Sequence, residues 1–171
     1  ENGVTLSDGE RIESMTVIWA AGIRAAPLTQ QIPGERDNFG RLLVDRELRV
    51  PDVPGVFATG DAAKAASDDL GNFSLMSCQH ATRLGAFAGN NAAADLLGVP
   101  MMTYHQKAYV TCLDLGTAGA VFTRGWERKV ELVGEKAKKV KQEINTIWIY
   151  PPKAERTTAL ASADPERVTD L

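Results

Sequence analysis

Between Val53 and Ala63 the chain reads Val-Pro-Gly-Val-Phe-Ala-Thr-Gly-Asp-Ala-Ala, and this string constrains the fold more than any other stretch. Val56-Phe57-Ala58 has the pattern of a short buried strand, which delivers Gly60 and then Asp61 at its carboxyl end. Open α/β sheets bind ligands at that end of their strands. Gly60 carries no side chain, so a ligand can come close to the backbone there. The Asp61 carboxylate is suited to accept hydrogen bonds from sugar or polyol hydroxyls. A bare Gly-Asp pair would read more simply as a bend between strand and loop; the ligand reading rests on the whole string.

Patterns on either side suggest a mixed α/β chain. Val4-Thr5-Leu6 and Arg11-Ile12-Glu13 flank Asp8-Gly9, a hairpin signal. Met15 to Trp19 is apolar and β-branched, the pattern of a strand buried on both faces, and it runs into the small residues Ala20-Ala21-Gly22. Pro27 and Pro33-Gly34 bracket a short helical piece, and Arg41 to Arg49 alternates around Leu42, Val44 and Leu48 before a turn at Pro51 to Gly55. From Ser77 to Leu97 the composition is strongly helical, with Ser77 as the cap and Gly98 with Pro100 as the stop. Ala81, Gly85, Ala88 and Ala92 share one face of that helix and predict a close backbone approach.

Beyond Pro100 the pattern turns to β. Tyr109–Leu115, Gly119–Thr123 and Glu127–Val133 predict three antiparallel strands with Gly116 and Gly125 in the turns. Gly134 to Ile149 predicts an amphipathic helix with Ala137, Val140, Ile144, Ile147 and Trp148 inward and Lys136, Lys138, Lys139 and Lys141 outward. That lysine run reads as a solvated face supported by Glu135 and Glu143, with contact to anionic lipid as the alternative. Pro151-Pro152 ends the helix, the tail to Leu171 is polar and expected to be mobile, and no segment repeats.

Composition narrows the function. Nineteen basic and twenty-two acidic residues give a net charge of −3, so no global charge drives the chain onto nucleic acid. The longest apolar run, Val17 to Ile23, is far shorter than a membrane span. Cys78 and Cys112 form no CxxC pair, which suits a reducing cytosol and excludes a disulfide framework. No clustering of His, Cys and Asp suggests a metal.

The string at Val56, Phe57, Ala58, Gly60 and Asp61 resembles the second flavin fingerprint of the pyridine nucleotide-disulfide oxidoreductase superfamily. Val17-Ile-Trp-Ala-Ala-Gly22 is similar to the crossover by which such chains leave the NAD(P)H domain and return to the FAD domain. Ser77-Cys-Gln-His-Ala81 is most like the start of the helix beside the flavin in the type II NADH dehydrogenase branch. That branch has an Ala-Gln pair where this chain has Cys78-Gln79, and a further glutamine in the next turn where this chain has Thr82 and Arg83.

The resemblance implies an α/β chain, the end of an FAD/NAD(P)-binding Rossmann-like domain followed by a small α+β domain. The expected boundaries are residues 1–24 for the end of the NAD(P)H-binding domain, 25–99 for the carboxyl-terminal part of the FAD-binding domain, 100–152 for a β-meander with a helix, and 153–171 for the tail. It implies FAD and NAD(P)H as cofactors, with electrons passing through the flavin to an acceptor such as a quinone. Asp61 would hold the ribityl chain, Gly60 and Ala62 would line it, Gln79 would touch the ring edge, and Gly22 would let the crossover pass close to both cofactors. His80 reads as a cap or surface contact, with proton donation near the flavin as the alternative, and His105 as structural.

Neither of the Gly-x-Gly-x-x-Gly turns that such enzymes use for pyrophosphate occurs here. The chain is therefore expected to be part of a longer enzyme, and by itself to hold no flavin, oxidise no NADH and associate with itself. The expected location is the cytoplasm, with peripheral membrane contact. A ferredoxin-type reductase and a non-catalytic binding or dimerisation module are the alternative readings.

Overall fold

A computed structural model describes residues 2–20, 22–106 and 108–167. It is a mixed α/β arrangement, entered through a hairpin. Strand β1 (Gly3–Thr5) pairs antiparallel with β2 (Arg11–Glu13), and Leu6 closes the turn by donating to the Glu10 carbonyl at 2.8 Å. Asp8 and Gly9 lie in the turn as the sequence suggests, with Gly9 at φ +91°.

Met15 to Trp19 does not form the expected strand. Met15, Ile18 and Trp19 are exposed, and no described segment pairs with them. A strand buried on both faces needs neighbours on both edges, and apolar character alone does not supply a ladder. Ala21, in the small-residue turn that follows, lies outside the described residues.

Three aspartate-closed turns shape the next segment. Asp37 accepts from the backbone N–H groups of Phe39 and Arg41 and from Arg41 Nε. Asp45 does the same for Glu47, Arg49 and Arg49 Nε. Asp68 repeats the pattern with Leu70, Asn72 and the Asn72 amide. In each, one carboxylate ties down two backbone donors and the side chain four residues on, so it replaces part of a hydrogen-bond ladder.

Between these turns β3 (Leu42–Leu43) pairs in parallel with β4 (Ala63–Lys64). Val56-Phe57-Ala58 runs antiparallel to Leu48–Val50, through bonds from Val50 N–H to the Val56 carbonyl (2.9 Å) and from Ala58 N–H to the Leu48 carbonyl (3.0 Å). The fingerprint is thus the second arm of a tight hairpin around Pro51–Gly55, and the parallel pairing begins just after it, at Ala63. Leu42, Val50, Ala58 and Ala63 form the local core.

Helix α1 (Cys78–Leu97) is the longest element. Gly98 ends it at φ +65°, the left-handed conformation that glycine takes without strain. Its buried face is His80, Leu84, Phe87, Ala88, Asn91 and Ala94. Leu84, Phe87 and Ala88 pack with Leu48, Ala65 and Tyr104. The predicted small-residue face is only partly buried: Ala88 is inside and Gly85 is exposed, while the chain around Thr59 and Gly60 approaches the helix closely at Ala81 and Gly85. Asn91 is fully buried and satisfied, donating to the carbonyls of Glu47 (2.9 Å) and Met102 (2.8 Å) and accepting from Met102 N–H (2.8 Å).

The expected meander is present. Strands β5 (Val110–Asp114), β6 (Ala120–Arg124) and β7 (Lys129–Val133) are antiparallel in sequence order, with a bulge at Phe122/Thr123. Helix α2 (Gly134–Glu143) lies on this sheet, burying Ala137 with Val110, Ala120 and Phe122. A side chain at Gly119 would fall within 2.6 Å of Gly134, so only glycine fits there.

Ala137 and Val140 face inward as predicted, but Ile147 and Trp148 are exposed. From Ile144 to Trp148 the helix widens into a π turn, and the 3.6-residue period no longer applies past that point. The polar tail holds a short helix α3 (Arg156–Ser162), for which the sequence reading gave no signal, beginning beside a contact from the Thr158 hydroxyl to the Glu155 carboxylate.

Asn91→Ala would leave one part-buried donor and two part-buried carbonyls without their partner, each such group costing about 1–3 kcal/mol when cut off from water. Urea unfolding should show a loss of at least roughly 2 kcal/mol. A loss within error would mean that this residue does not tie α1 to the segments around Glu47 and Met102.

Candidate functional site

Gly60 sits at φ +62°, where any other L-residue would be strained by roughly 1 kcal/mol or more. That conformation turns the chain out of the Thr59 extended backbone into a single 3-10 turn, Gly60–Ala62. The chain re-enters the core at Ala63, which is buried. Asp61 projects from the outside of this turn: its carboxylate is exposed and, among the described residues, makes no hydrogen bond or ion pair. Ala62 is half-buried beside it.

The turn is seated on the start of α1. A Cβ placed on Gly60 would lie 3.8 Å from the Ala81 methyl, and one on Gly85 would lie 4.0 Å from the Thr59 hydroxyl. Gly60, Asp61 and Ala62 are therefore brought against the first turn of α1, which carries Gln79 and His80. Gly22 is not tied to this group by any described contact; it stands in exposed backbone at φ +84° with open space around it.

The first turn of α1 keeps its backbone donors free of side-chain caps. Ser77 occupies the cap position without a capping bond, because its hydroxyl is 3.0 Å from His80 Nδ1. The amides of the first turn thus retain the positive end of the helix dipole without a side-chain acceptor.

Gln79 faces the meander. Its amide donates to the Val110 carbonyl at 2.9 Å and accepts from Val110 N–H at 3.2 Å. Both ends of the side chain are engaged, which holds Gln79 toward the meander and leaves one amide N–H and one oxygen lone pair uncommitted.

His80 is neither cap nor surface contact: it is fully buried. Its ring lies 5.5 Å from Tyr109 and 5.8 Å from Trp126, which stack on each other at 4.6 Å. Nε2 is buried and, among the described residues, has no hydrogen-bond partner. Burial pushes the imidazole down to about 4, well below its ordinary value, so it is neutral at physiological pH. Its sequence position at a helix start suggested exposure; the covering rings come from a strand entry and a turn far downstream.

The remaining candidates are structural. His105 accepts at its carbonyl from Arg83 Nε at 2.9 Å and packs edge-on against Phe87. Cys78 is exposed, while Cys112 is partly buried with its thiol directed at the Ala137 carbonyl and raised by burial. Among the described residues no cluster could hold a metal ion.

His80 makes stability pH-dependent in one direction. Its folded value lies below that of the free side chain, so between about 6.5 and 4 the unfolded chain takes up a proton that the folded chain refuses. Stability should fall as pH drops through that window. The difference in thermal midpoint between the native chain and His80→Asn should shrink or reverse over the same interval. A difference that stays constant with pH would show that the imidazole is not held neutral by the fold.

The family model for pyridine nucleotide-disulphide oxidoreductases matches residues 1–85. An NADH dehydrogenase-like protein of Mycobacterium tuberculosis is 53% identical over 164 residues, 95% of this chain and 41% of that protein. A type II NADH:quinone oxidoreductase of Haemophilus influenzae is 29% identical over 68% of this chain and 27% of its own length. One from Staphylococcus saprophyticus is 26% identical over 86% of this chain and 36% of its own length. The chain spans about two fifths of the length of the mycobacterial relative. The matched family model includes the Gly60–Asp61 turn and the first turn of α1, and the chain belongs to the pyridine nucleotide-disulphide oxidoreductase family, most like its type II NADH dehydrogenase branch.

Proposed function

We propose that this chain supplies part of the flavin site of an enzyme that takes a hydride from NAD(P)H onto FAD and passes the electrons to a quinone. The observation that carries the reading is the Gly60–Asp61 turn seated on an uncapped helix start, in a chain similar to enzymes named type II NADH:quinone oxidoreductases. FAD supplies the hydride-accepting ring and the electron relay; the protein's share is binding and orientation.

The residues present fit that group. A carboxylate without a partner among the described residues, carried on a turn that only glycine forms without strain, suits a polyol chain approaching the backbone. In this reading Asp61 accepts from ribityl hydroxyls while Gly60 and Ala62 line the chain. The backbone amides of the first turn of α1, those of Gln79 and His80 among them, face the ring edge and favour the negative charge of the reduced state. Gln79 is then chiefly a positioning residue through Val110, with one amide N–H and one oxygen lone pair left for a ligand. Neutral His80 packs behind the turn, and Gly22 belongs to the crossover between the nucleotide and flavin domains.

The same reading divides the chain at residues 24, 99 and 152, into the end of the NAD(P)H-binding domain, the carboxyl-terminal part of the FAD-binding domain, the meander with its helix, and the tail. It takes the working protein as a homo-oligomer in the cytoplasm, peripheral on a membrane. No described helix is long and apolar enough to cross one.

The test is Asp61→Ala in a protein of the relatives' full length that carries this segment. A lost charged hydrogen bond of roughly 1.5–3 kcal/mol weakens flavin retention about ten- to a hundredfold. Flavin per polypeptide after dialysis should drop accordingly. Unchanged stoichiometry would overturn the placement of this residue.

A further inference from the structure

His80 is a buried imidazole to which the flavin reading gives no task beyond packing. Its ring is closed in by Tyr109 and Trp126, and the residue is sealed from solvent. Nε2 has no partner among the described residues. A leucine would fill the same space without stranding a polar atom, so aromatic packing alone does not call for an imidazole. The polar contact that the ring does make is through Nδ1, 3.0 Å from the Ser77 hydroxyl.

Ser77 stands where a serine ordinarily caps a helix. It occupies the N-cap of α1 with the extended backbone that a cap requires, φ −157° and ψ 153°. A rotation of its side chain alone would let the hydroxyl accept from the N–H of Gln79 or His80. No such bond forms, and the hydroxyl lies on the imidazole instead. Among the described residues, the first N–H of this helix start with an acceptor is that of Ala81, which donates to the Ser77 carbonyl at 2.9 Å. The donors ahead of it stay open, at the end of the helix where the dipole is positive.

We propose that His80 is a positioning residue for the flavin: by holding the Ser77 hydroxyl it keeps the start of α1 uncapped, so that the helix-start amides act on the negative charge of the reduced ring. It rests on the flavin reading. Hydride transfer brings two electrons and one proton from NAD(P)H, which leaves as NAD(P)+, and the ring gains one negative charge. Open amides at a helix N-terminus stabilise such a charge, whereas a capping oxygen would take up a donor and set its own partial negative charge there. Asp61, on the turn seated against Ala81, adds to the need, because a carboxylate opposes a second negative charge nearby. Burial keeps the imidazole neutral, so its influence on the ring passes through Ser77 and not through a charge of its own.

In the chain as it stands, amide hydrogen exchange is read at residues 79 and 80. His80→Leu frees the Ser77 hydroxyl, and protection at one of the two amides should rise about fivefold or more. Adding Ser77→Ala should abolish that rise, because no hydroxyl remains to cap. His80→Asn, whose amide can stand in for Nδ1, should leave protection at the native level. The flavin midpoint potential is then read in a flavin-loaded protein of the relatives' full length that carries this segment. His80→Leu should weaken the preference for reduced over oxidised flavin up to about tenfold, which is about 30 mV downward for a two-electron couple. Ser77→Ala together with His80→Leu should return the potential to its native value. A fall that persists in the pair would show that the imidazole acts by packing alone, and overturns the proposal. An unchanged potential in His80→Leu with flavin retained does the same. So does a native chain whose amides at 79 and 80 are already protected as in a capped helix, a result that depends on no variant folding. The exchange measurement uses no flavin, so failure there belongs to the Ser77–His80 couple, whereas unchanged flavin retention in Asp61→Ala belongs to the placement of the flavin.

Discussion

The amide of Gln79 closed on both backbone groups of Val110 is the contact through which the two halves of the molecule act together. Val110 opens β5, and its N–H and carbonyl at this edge would otherwise face a helix start without partners. A glutamine side chain presents one donor and one acceptor at the separation of a peptide group, so it continues the ladder as a strand would. The consequence is positional. With Val110 fixed, Tyr109 is carried over His80, Trp126 stacks on Tyr109, and the imidazole is sealed. His80 in turn holds the Ser77 hydroxyl away from the helix cap.

A buried imidazole with an unpartnered nitrogen is unusual, since such an atom costs on the order of 1–3 kcal/mol. The burial of Tyr109 and the stacking of two large rings offset that cost. Asn91 shows the opposite solution within the same helix, buried with three bonds to backbone and a fourth accepted from the Asn90 amide. Two polar residues on one face of α1 are thus inside for different reasons, one satisfied by backbone and one covered by aromatic packing.

What the sequence showed plainly was local. The helix from Cys78 to Leu97 has a period, a cap residue and a glycine stop, and the meander has alternating β runs separated by glycines. The Gly60–Asp61 turn was visible because positive φ and an acid side chain are written in residue type. Four features were not legible. Met15 to Trp19 has strand composition, but pairing depends on a neighbour that composition does not specify. The π turn at Ile144 shifts later side chains out of the helical period without any marker residue such as proline. The aspartate turns at 37, 45 and 68 share a four-residue spacing from Asp to Arg or Asn, a signal that was present but is too short to register as a repeat. The burial of His80 depends on Tyr109 and Trp126, and nothing near His80 in the chain encodes their approach.

Side-chain commitments also explain why the outward chemistry of the site is so spare. In the first turn of α1, Ser77 is taken by His80, Gln79 by Val110, and His80 by the aromatic pair. What faces outward from this turn is therefore mainly backbone, in particular amides with the helix dipole behind them. The neighbouring loop contributes one free carboxylate, at Asp61, and a glycine that removes bulk between it and α1. Backbone amides cannot be changed by substitution, and they keep their direction as long as the helix does. An arrangement with fixed donors on one side and a single movable carboxylate on the other is suited to hold a large ligand by its frame. The side chains that surround the turn serve to keep that frame in place.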